Sequence, residues 1–410
     1  MKYFGTDGIR NKGDFFLNNS FAYKVGRSLS LLYNKNLYIG YDTRCSSSSI
    51  CHLLISGALS SGLNIYNLQM TSTPCIAYYS LLNNAIGVSI TASHNKYTDN
   101  GIKIFINGRK INDEEIKLIE DCIDNYNYLD YNNYIDYKYG TIQNKCPLEY
   151  ISFLNQFKTD TSNVLIDTAN GATSNISKYF FKNIINNTPN GININENCGS
   201  TNISNIIKYT KDSFDYGISL DGDGDRLVIV DRNGFIYSGD MLVYVLCKIY
   251  KIDNAVLTKM CNPGIINLFN DNNILLKFSD IGDSNVYSLM NKFDISIGGE
   301  DSGHIINKNL LPFGDGLLNA LVILKYINEH NIRLNELINP LIKYPEVLIN
   351  YNNINDNKVK MIKKIENNYI DNHDFKLLFR KSGTEDLYRL YISYKDVDVL
   401  NKLIEDINNE

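Results

Sequence analysis

Short apolar runs, each closed by a polar loop, recur along this chain and predict strands set among helices. From Leu37 an apolar strand leads into Asp42-Thr43-Arg44. The serine run at 46–49 is able to cap a helix that continues to about Ser61, and a second strand follows near 64–68. The same rhythm returns at 164–167 and 255–259, each with a helix expected after it, which argues for α/β domains. Beyond about Lys343 the texture changes to strand-like segments at 347–350, 375–379 and 387–393, with helices between and after, as in a smaller α+β domain.

A weak internal repeat carries functional information. Gly87-Val88-Ser89-Ile90-Thr91-Ala92-Ser93, Gly217-Ile218-Ser219-Leu220-Asp221-Gly222-Asp223 and Asp294-Ile295-Ser296-Ile297-Gly298-Gly299-Glu300 share a strand leading into a polar loop, with Ser93, Asp223 and Glu300 at matching offsets. In open α/β sheets ligands gather beyond the carboxyl ends of strands, where all three loops are expected to lie. Three similar α/β domains with mixed sheets, joined by a smaller α+β C-terminal domain around a central cleft, is the simplest arrangement. The boundaries expected are 1–148, 149–252, 253–343 and 344–410, and 410 residues exceed what one core usually serves.

The formal net charge is −5 with both signs interspersed, which argues against nucleic acid as the main partner. Eight cysteines include no Cys-x-x-Cys pair and read as reduced, mostly buried thiols. The chain enters Phe4-Gly5-Thr6-Asp7-Gly8-Ile9-Arg10 without a leader pattern, and no apolar run reaches membrane-spanning length, so a cytoplasmic protein without a membrane partner is expected. Tyrosine at 30, proline at 7 and no tryptophan are read as compositional drift, without functional meaning.

The densest chemistry is Asp221-Gly222-Asp223-Gly224-Asp225-Arg226 between two apolar runs. Three carboxylates this close repel one another unless a cation sits among them, and the glycines let the backbone curl so that all three face one centre. All-oxygen ligation selects Mg²⁺ or Mn²⁺. A calcium EF-hand loop needs Gly at position six and Glu at twelve, where this chain has Arg226 and Arg232. A solvated acidic turn has no need of a third Asp followed by Arg, whereas an anionic substrate beside a metal needs a cation such as Arg226.

The loop Thr91-Ala92-Ser93-His94-Asn95, with Lys103 beyond it, offers a hydroxyl, an imidazole and an ammonium. It does not fit the Gly-x-Ser-x-Gly elbow of a serine hydrolase. Beside a carboxylate-bound metal, Ser93 is better used to carry a phosphoryl group, whose oxygen would complete the cation's coordination. Gly299-Glu300-Asp301-Ser302-Gly303-His304 suits a grasp on sugar hydroxyls. Arg380-Lys381-Ser382-Gly383-Thr384-Glu385, with Arg389, suits a non-reacting phosphate.

Together these motifs resemble the α-D-phosphohexomutase superfamily, most closely its bacterial phosphoglucosamine mutases. Phe4 to Arg10, Ala92-Ser93-His94-Asn95, Asp167-Thr168-Ala169-Asn170-Gly171-Ala172, Pro189-Asn190-Gly191-Ile192-Asn193, Asp221 to Arg226, Gly299 to His304 and Arg380 to Glu385 follow the family order over essentially the whole chain. The resemblance implies Mg²⁺ on Asp221, Asp223, Asp225 and phosphorylated Ser93. It places Glu300, Ser302 and His304 on the sugar, and Arg380, Ser382, Gly383, Thr384 and Arg389 on its distal phosphate. Arg10, His94 and Lys103 would surround the transferring phosphoryl and supply proton transfer. Departures are Lys96 and Asp386 in place of proline, Gly282-Asp283-Ser284-Asn285 in place of Gly-Asp-Arg-Tyr, and Asp301 in place of Asn or Gln.

The activity implied is an isomerase converting glucosamine 6-phosphate to glucosamine 1-phosphate through a hexose 1,6-bisphosphate, feeding UDP-N-acetylglucosamine synthesis. Phosphomannomutase or phosphoglucomutase activity, a phosphatase and a non-catalytic sugar-phosphate-binding protein are the alternatives. Asp301 adds an expectation of its own, since a carboxylate beside the C2 ammonium of glucosamine phosphate would favour that sugar. Alternation along the loop would instead turn Asp301 away from Glu300 and Ser302.

Overall fold

The structure, a computed structural model, describes residues 2–5, 7–33, 36–125, 139–369, 372–381 and 387–409. They form two compact units, Met1–Gly239 with Ser302–Asn331, and Asp240–Asp301 with Ile332–Glu410.

The first unit contains two mixed α/β sheets. In the larger, the order is Phe4–Gly5, Gly8–Lys12, Asp99–Ile106, Ile86–Ile90, Leu37–Tyr41, Ile65–Met70, Ile142–Asn144. Leu37–Tyr41 lies parallel to both Ile65–Met70 and Ile86–Ile90, while Asp99–Ile106 returns antiparallel beside Ile86–Ile90. Every residue of Ile86–Ile90 is buried, as expected of a central strand covered on both faces. The helix expected after Leu37–Tyr41 is Ser47–Leu59, but Ser46 makes no side-chain capping bond to it. These serines are drawn elsewhere: Ser47 Oγ donates to Asp42 Oδ1 at 2.6 Å, and Asn100 Nδ2 donates to Ser46 Oγ at 2.8 Å.

The second sheet runs Asn183–Ile185, Val164–Asp167, Tyr216–Leu220, Leu227–Asp231, Ile236–Tyr237. The α-helix expected after Val164–Asp167 is replaced by turns and a single 3-10 turn, Ser177–Tyr179. Ala169 and Asn170 take left-handed backbone (φ 55° and 48°), and the Asp167 carboxylate accepts the amides of Ala169 at 2.8 Å and Gly199 at 2.9 Å. Consecutive left-handed residues stop a right-handed helix from starting. The turn packs so tightly that a Cβ on Gly171 would lie 2.4 Å from the Gly222 carbonyl oxygen, so it braces the acidic loop instead. Helix Gly316–His330 packs on Tyr216–Leu220 and Leu227–Asp231.

Two copies of the repeat therefore share one construction: a parallel strand, a polar loop and an antiparallel return strand. In the second unit the third copy forms its strand at Ile297–Gly299, two residues later than expected, because Asp294 still turns with φ 51°. That strand lies parallel to Asn254–Thr258, itself parallel to Leu275–Ser279. The second unit also contains an antiparallel sheet in the order Glu346–Tyr351, Tyr388–Tyr394, Phe375–Lys381. Helices Asp356–Asn368 and Val397–Asn408 supply Ile362, Ile365, Leu400, Leu403 and Ile407 to a core with Leu390 and Ile392. All eight cysteines are free and five are buried. Among the described residues no helix is long and apolar enough to cross a membrane.

Candidate active site

The loops that follow Ile86–Ile90 and Tyr216–Leu220 meet. Ser93 is fully buried, in left-handed backbone (φ 53°), and its Oγ donates to Asp221 Oδ2 at 2.6 Å with His94 Nδ1 3.3 Å away. Asp221 Oδ1 is held by the amides of Gly224 at 3.1 Å and Arg226 at 3.2 Å. Glycine at 222 is demanded by close approach rather than by curl, since a Cβ there would lie 2.7 Å from the Ser93 carbonyl oxygen. Gly224, with φ 81°, provides the turn itself.

One ligand oxygen from each of Asp221, Asp223 and Asp225 falls within 4.8 Å of the others, and all three residues are buried. Lys103 reaches in from the return strand Asp99–Ile106, where it stands opposite Ser89. Its Nζ donates to Asp223 Oδ2 at 2.8 Å and Asp225 Oδ2 at 2.7 Å, and lies 3.1 Å from Asp7 Oδ2. Thr73 Oγ1 also donates to Asp223 Oδ2 at 2.7 Å. The remaining oxygens, Asp223 Oδ1 and Asp225 Oδ1, are buried with no hydrogen-bond partner among the described residues.

The electrostatics describe a cluster short of positive charge. Burial, then repulsion from Asp223 and Asp225, pushes the Asp221 carboxyl well above its usual range. Burial works against the Lys103 ammonium, but Asp223, Asp225 and Asp7 outweigh it and hold its pKa well above the ordinary lysine value. Burial likewise works against the Asp7 carboxylate and is outweighed by Lys103, Lys110 and Arg10, which hold it low. Burial, then the charges of Arg226 and Arg10, drops the His94 pKa to about 3, so its imidazole is neutral at pH 7. Two orphaned carboxylate oxygens in a nest of hard oxygen donors fit a divalent, oxygen-seeking cation.

Arg10 lies on Gly8–Lys12 and pairs with Asp7. Arg226 and His304 are joined by a backbone bridge, with His304 Nε2 3.9 Å from Asp225 Oδ2. Ser302 stands exposed at the start of the segment carrying His304. The first unit thus brings together Ser93, His94, Lys103, the three aspartates, Arg10, Arg226 and His304. The second unit contains Glu300, whose Oε1 accepts the Gly282 amide at 2.9 Å, and Arg380 directly opposite Arg389 across two strands. These arginines line a small cavity with Met260, Leu348, Leu378 and Tyr391, and burial, then the Arg389 charge, lowers the Arg380 pKa. Ser382, Gly383 and Thr384 lie outside the described residues.

Sequence reasoning missed the residues that support this set. Asp7 ties Lys103, Lys110 and Arg10 together, and Thr73 steadies Asp223. Arg44 reaches the Ser93 carbonyl at 2.9 Å, and Asn195 Nδ2 reaches it at 2.8 Å. The one signal available was that Asp42 and Arg44 are charged residues directly after a buried strand.

Residues 1–130 match the family described as phosphoglucomutase/phosphomannomutase, alpha/beta/alpha domain I, and residues 238–344 match its domain III. A phosphoglucosamine mutase of Thermosipho africanus (strain TCF52B) is 34% identical, covering 99% of this chain and 97% of its own. One of Ruthia magnifica subsp. Calyptogena magnifica is 35% identical, covering 99% of both. Among solved structures, a phosphoglucomutase/phosphomannomutase family protein from Burkholderia thailandensis has the same fold, with a TM-score of 0.79 at 19% identity over 98% of this chain and 96% of that one.

Proposed function

The chain belongs to the phosphoglucosamine mutases of the α-D-phosphohexomutase superfamily, and from that premise we propose that it interconverts glucosamine 6-phosphate and glucosamine 1-phosphate. It is an isomerase working through a phosphoserine and a glucosamine 1,6-bisphosphate. The observation that carries this reading is the Ser93 hydroxyl 2.6 Å from Asp221, inside a nest of three buried carboxylates.

In the forward half-reaction the bond from phosphorus to Ser93 Oγ breaks as one forms to O1 of the sugar. The O1 proton leaves and the serine oxygen regains one. The bisphosphate then reorients, and the phosphoryl on O6 returns to Ser93. Asp221, Asp223 and Asp225 would hold Mg²⁺, which when bound offsets the charge of the transferring phosphoryl. Neutral His94, its Nδ1 3.3 Å from Ser93 Oγ, would hydrogen-bond at the transferring phosphoryl, but a pKa of about 3 makes it too weak a base to take the proton of the attacking hydroxyl at pH 7. Lys103 and Arg10 add positive charge beside the transfer, and Arg226 adds more. Glu300, Ser302 and His304 grasp the sugar, while Arg380 and Arg389, paired across neighbouring strands, suit its distal phosphate with Ser382, Gly383 and Thr384. We place the enzyme in the cytoplasm, supplying UDP-N-acetylglucosamine synthesis.

The test presents glucosamine, glucose and mannose 6-phosphates, each with its 1,6-bisphosphate and Mg²⁺, to the purified protein. A kcat/KM highest for glucosamine phosphate is expected. A higher value for glucose or mannose phosphate would move the assignment to those mutases, and release of free phosphate without isomer would mean a phosphatase.

A further inference from the structure

The side chain of Arg44 is completely buried, and so is that of Asp42, its ion-pair partner. Its Nε donates to Asp42 Oδ2 at 2.8 Å. Its Nη2 donates to the carbonyls of Ser93 at 2.9 Å and Asn95 at 3.0 Å, and Nη1 donates to the Lys96 carbonyl. A guanidinium has five N–H donors in a fixed fork, and here the terminal nitrogens all serve one loop of four residues. A buried ion pair that served only the core would have no reason to converge on carbonyls of a reactive loop.

Asp42 completes the device. Its Oδ2 also accepts the Thr91 hydroxyl at 2.7 Å, and Thr91 Oγ1 in turn accepts the Ser93 amide at 2.9 Å. Both backbone groups of Ser93 are therefore tied to one ion pair, the carbonyl directly and the amide through Thr91. Ser93 needs such a tie because its φ of 53° is left-handed backbone, which an L-residue keeps only where its surroundings over-determine it. In that conformation the hydroxyl is the one 2.6 Å from Asp221.

We propose that Arg44 is a positioning residue for phosphoryl transfer: paired with Asp42, it locks Ser93 in left-handed backbone and so aims Oγ at the acidic nest. The inference rests on Ser93 being the phosphoryl carrier. Arg44 acts on the geometry of the transfer step, and substrate binding does not pass through it. A lysine at this position would keep the charge and the pairing with Asp42 but could not fork to three carbonyls.

Arg44→Lys in the full chain is expected to lower kcat by about 10- to 100-fold, with KM for the sugar phosphate within about twofold of the parent. A second readout needs no activity. Glycine adopts left-handed backbone freely, so Ser93→Gly should melt higher than Ser93→Ala in the parent background, and this difference should shrink alongside Arg44→Lys, with Asn195 and Thr91 still holding part of the loop. An unchanged kcat, or a Gly–Ala difference that is undiminished with Lys at 44, overturns the proposal. If Arg44→Lys does not fold, Thr91→Val, which keeps the shape and removes the hydroxyl link to the Ser93 amide, takes its place in the kinetic test: a comparable fall in kcat supports the proposal and an unchanged kcat overturns it. Full activity in Ser93→Ala would instead overturn the underlying assignment of Ser93, whatever Arg44 does.

Discussion

The hydroxyl of Ser93 donates to the carboxylate of Asp221 across 2.6 Å, although 128 positions separate them in the chain. Each residue sits in the loop after a buried parallel strand, and the two strands belong to different sheets. A serine idle in the core would not be aimed at a carboxylate whose own proton affinity is raised by burial and by two neighbouring acids. We predict that the purified protein contains a fraction heavier by one phosphoryl group, mapping to Ser93. Ser93→Ala should lose mutase activity on the order of a thousandfold or more. Intact-mass analysis with a coupled isomerase assay checks both, and full activity in the variant would sink the idea.

Asp223 divides its labour: Oδ2 is occupied by Lys103 and Thr73, while Oδ1 is buried without a partner among the described residues. Asp223→Asn keeps the shape and removes one of three negative charges from the nest. It should weaken divalent-cation affinity by about 10- to 100-fold, because a carbonyl oxygen is a poorer ligand than a carboxylate. Calorimetric titration with Mn²⁺ reads this without turnover. Equal affinity in parent and variant would count against the nest as the cation site.

The acidic loop was legible because its chemistry is compressed into six consecutive residues, and charge repulsion at that density has few explanations. Lys103 was legible only as the lysine just beyond the Ser93 loop, and the cause of its placement is register: the return strand sets it opposite Ser89. What could not be read is assembled over long separations. Arg44 meets its carbonyls 49 to 52 positions away, and Thr73 meets Asp223 across 150. In the sequence, Asp42-Thr43-Arg44 looks like the polar end of a strand. The turn after Val164–Asp167 looks like a helix in the sequence because its cause, the left-handed pair Ala169 and Asn170 leading into Gly171, which lies against Gly222, includes an alanine that favours helix in isolation. Tertiary contact overrides local propensity there.

Asp315 offers a test through pH. It caps helix Gly316–His330 by accepting the Leu318 amide at 2.9 Å and also accepts the Tyr150 hydroxyl at 2.7 Å. Burial pushes its carboxyl up to about 6 from an ordinary 3.8. Between those values the folded protein binds the proton that the unfolded chain has already released. The stability contributed by the protonated group is therefore complete below pH 3.8 and lost as pH rises to 6. Asp315→Asn cannot ionise and still supplies a capping oxygen. Relative to the parent, it should gain about 1.4 kcal/mol of stability per pH unit across that window, then hold level above it. Urea denaturation at pH 4.5 and pH 7 measures the change. A difference between the two proteins that is the same at both pH values would show that Asp315 titrates normally.

Asp301 bears on the choice of sugar. Burial works against the ammonium of Lys343, and Asp301 leads the charges that outweigh it, ahead of Glu346. Asp301 also bears on buried Asp240, whose carboxyl is pushed well above its usual range first by burial and then by Asp301. Lys343 therefore sets a positive charge within electrostatic reach of Asp301, while its own ion pair is with Glu346 at 2.6 Å. A C2 ammonium brought near Asp301 would be drawn to the carboxylate and repelled by Lys343, leaving little net selectivity. An unengaged carboxylate would favour the amino sugar by about 1.5–3 kcal/mol, or about 10- to 150-fold. We expect instead that Asp301→Asn keeps the ratio of kcat/KM between glucosamine and glucose phosphates within about threefold, at constant pH and Mg²⁺. A tenfold or larger loss of preference for glucosamine phosphate would show that the carboxylate faces the sugar.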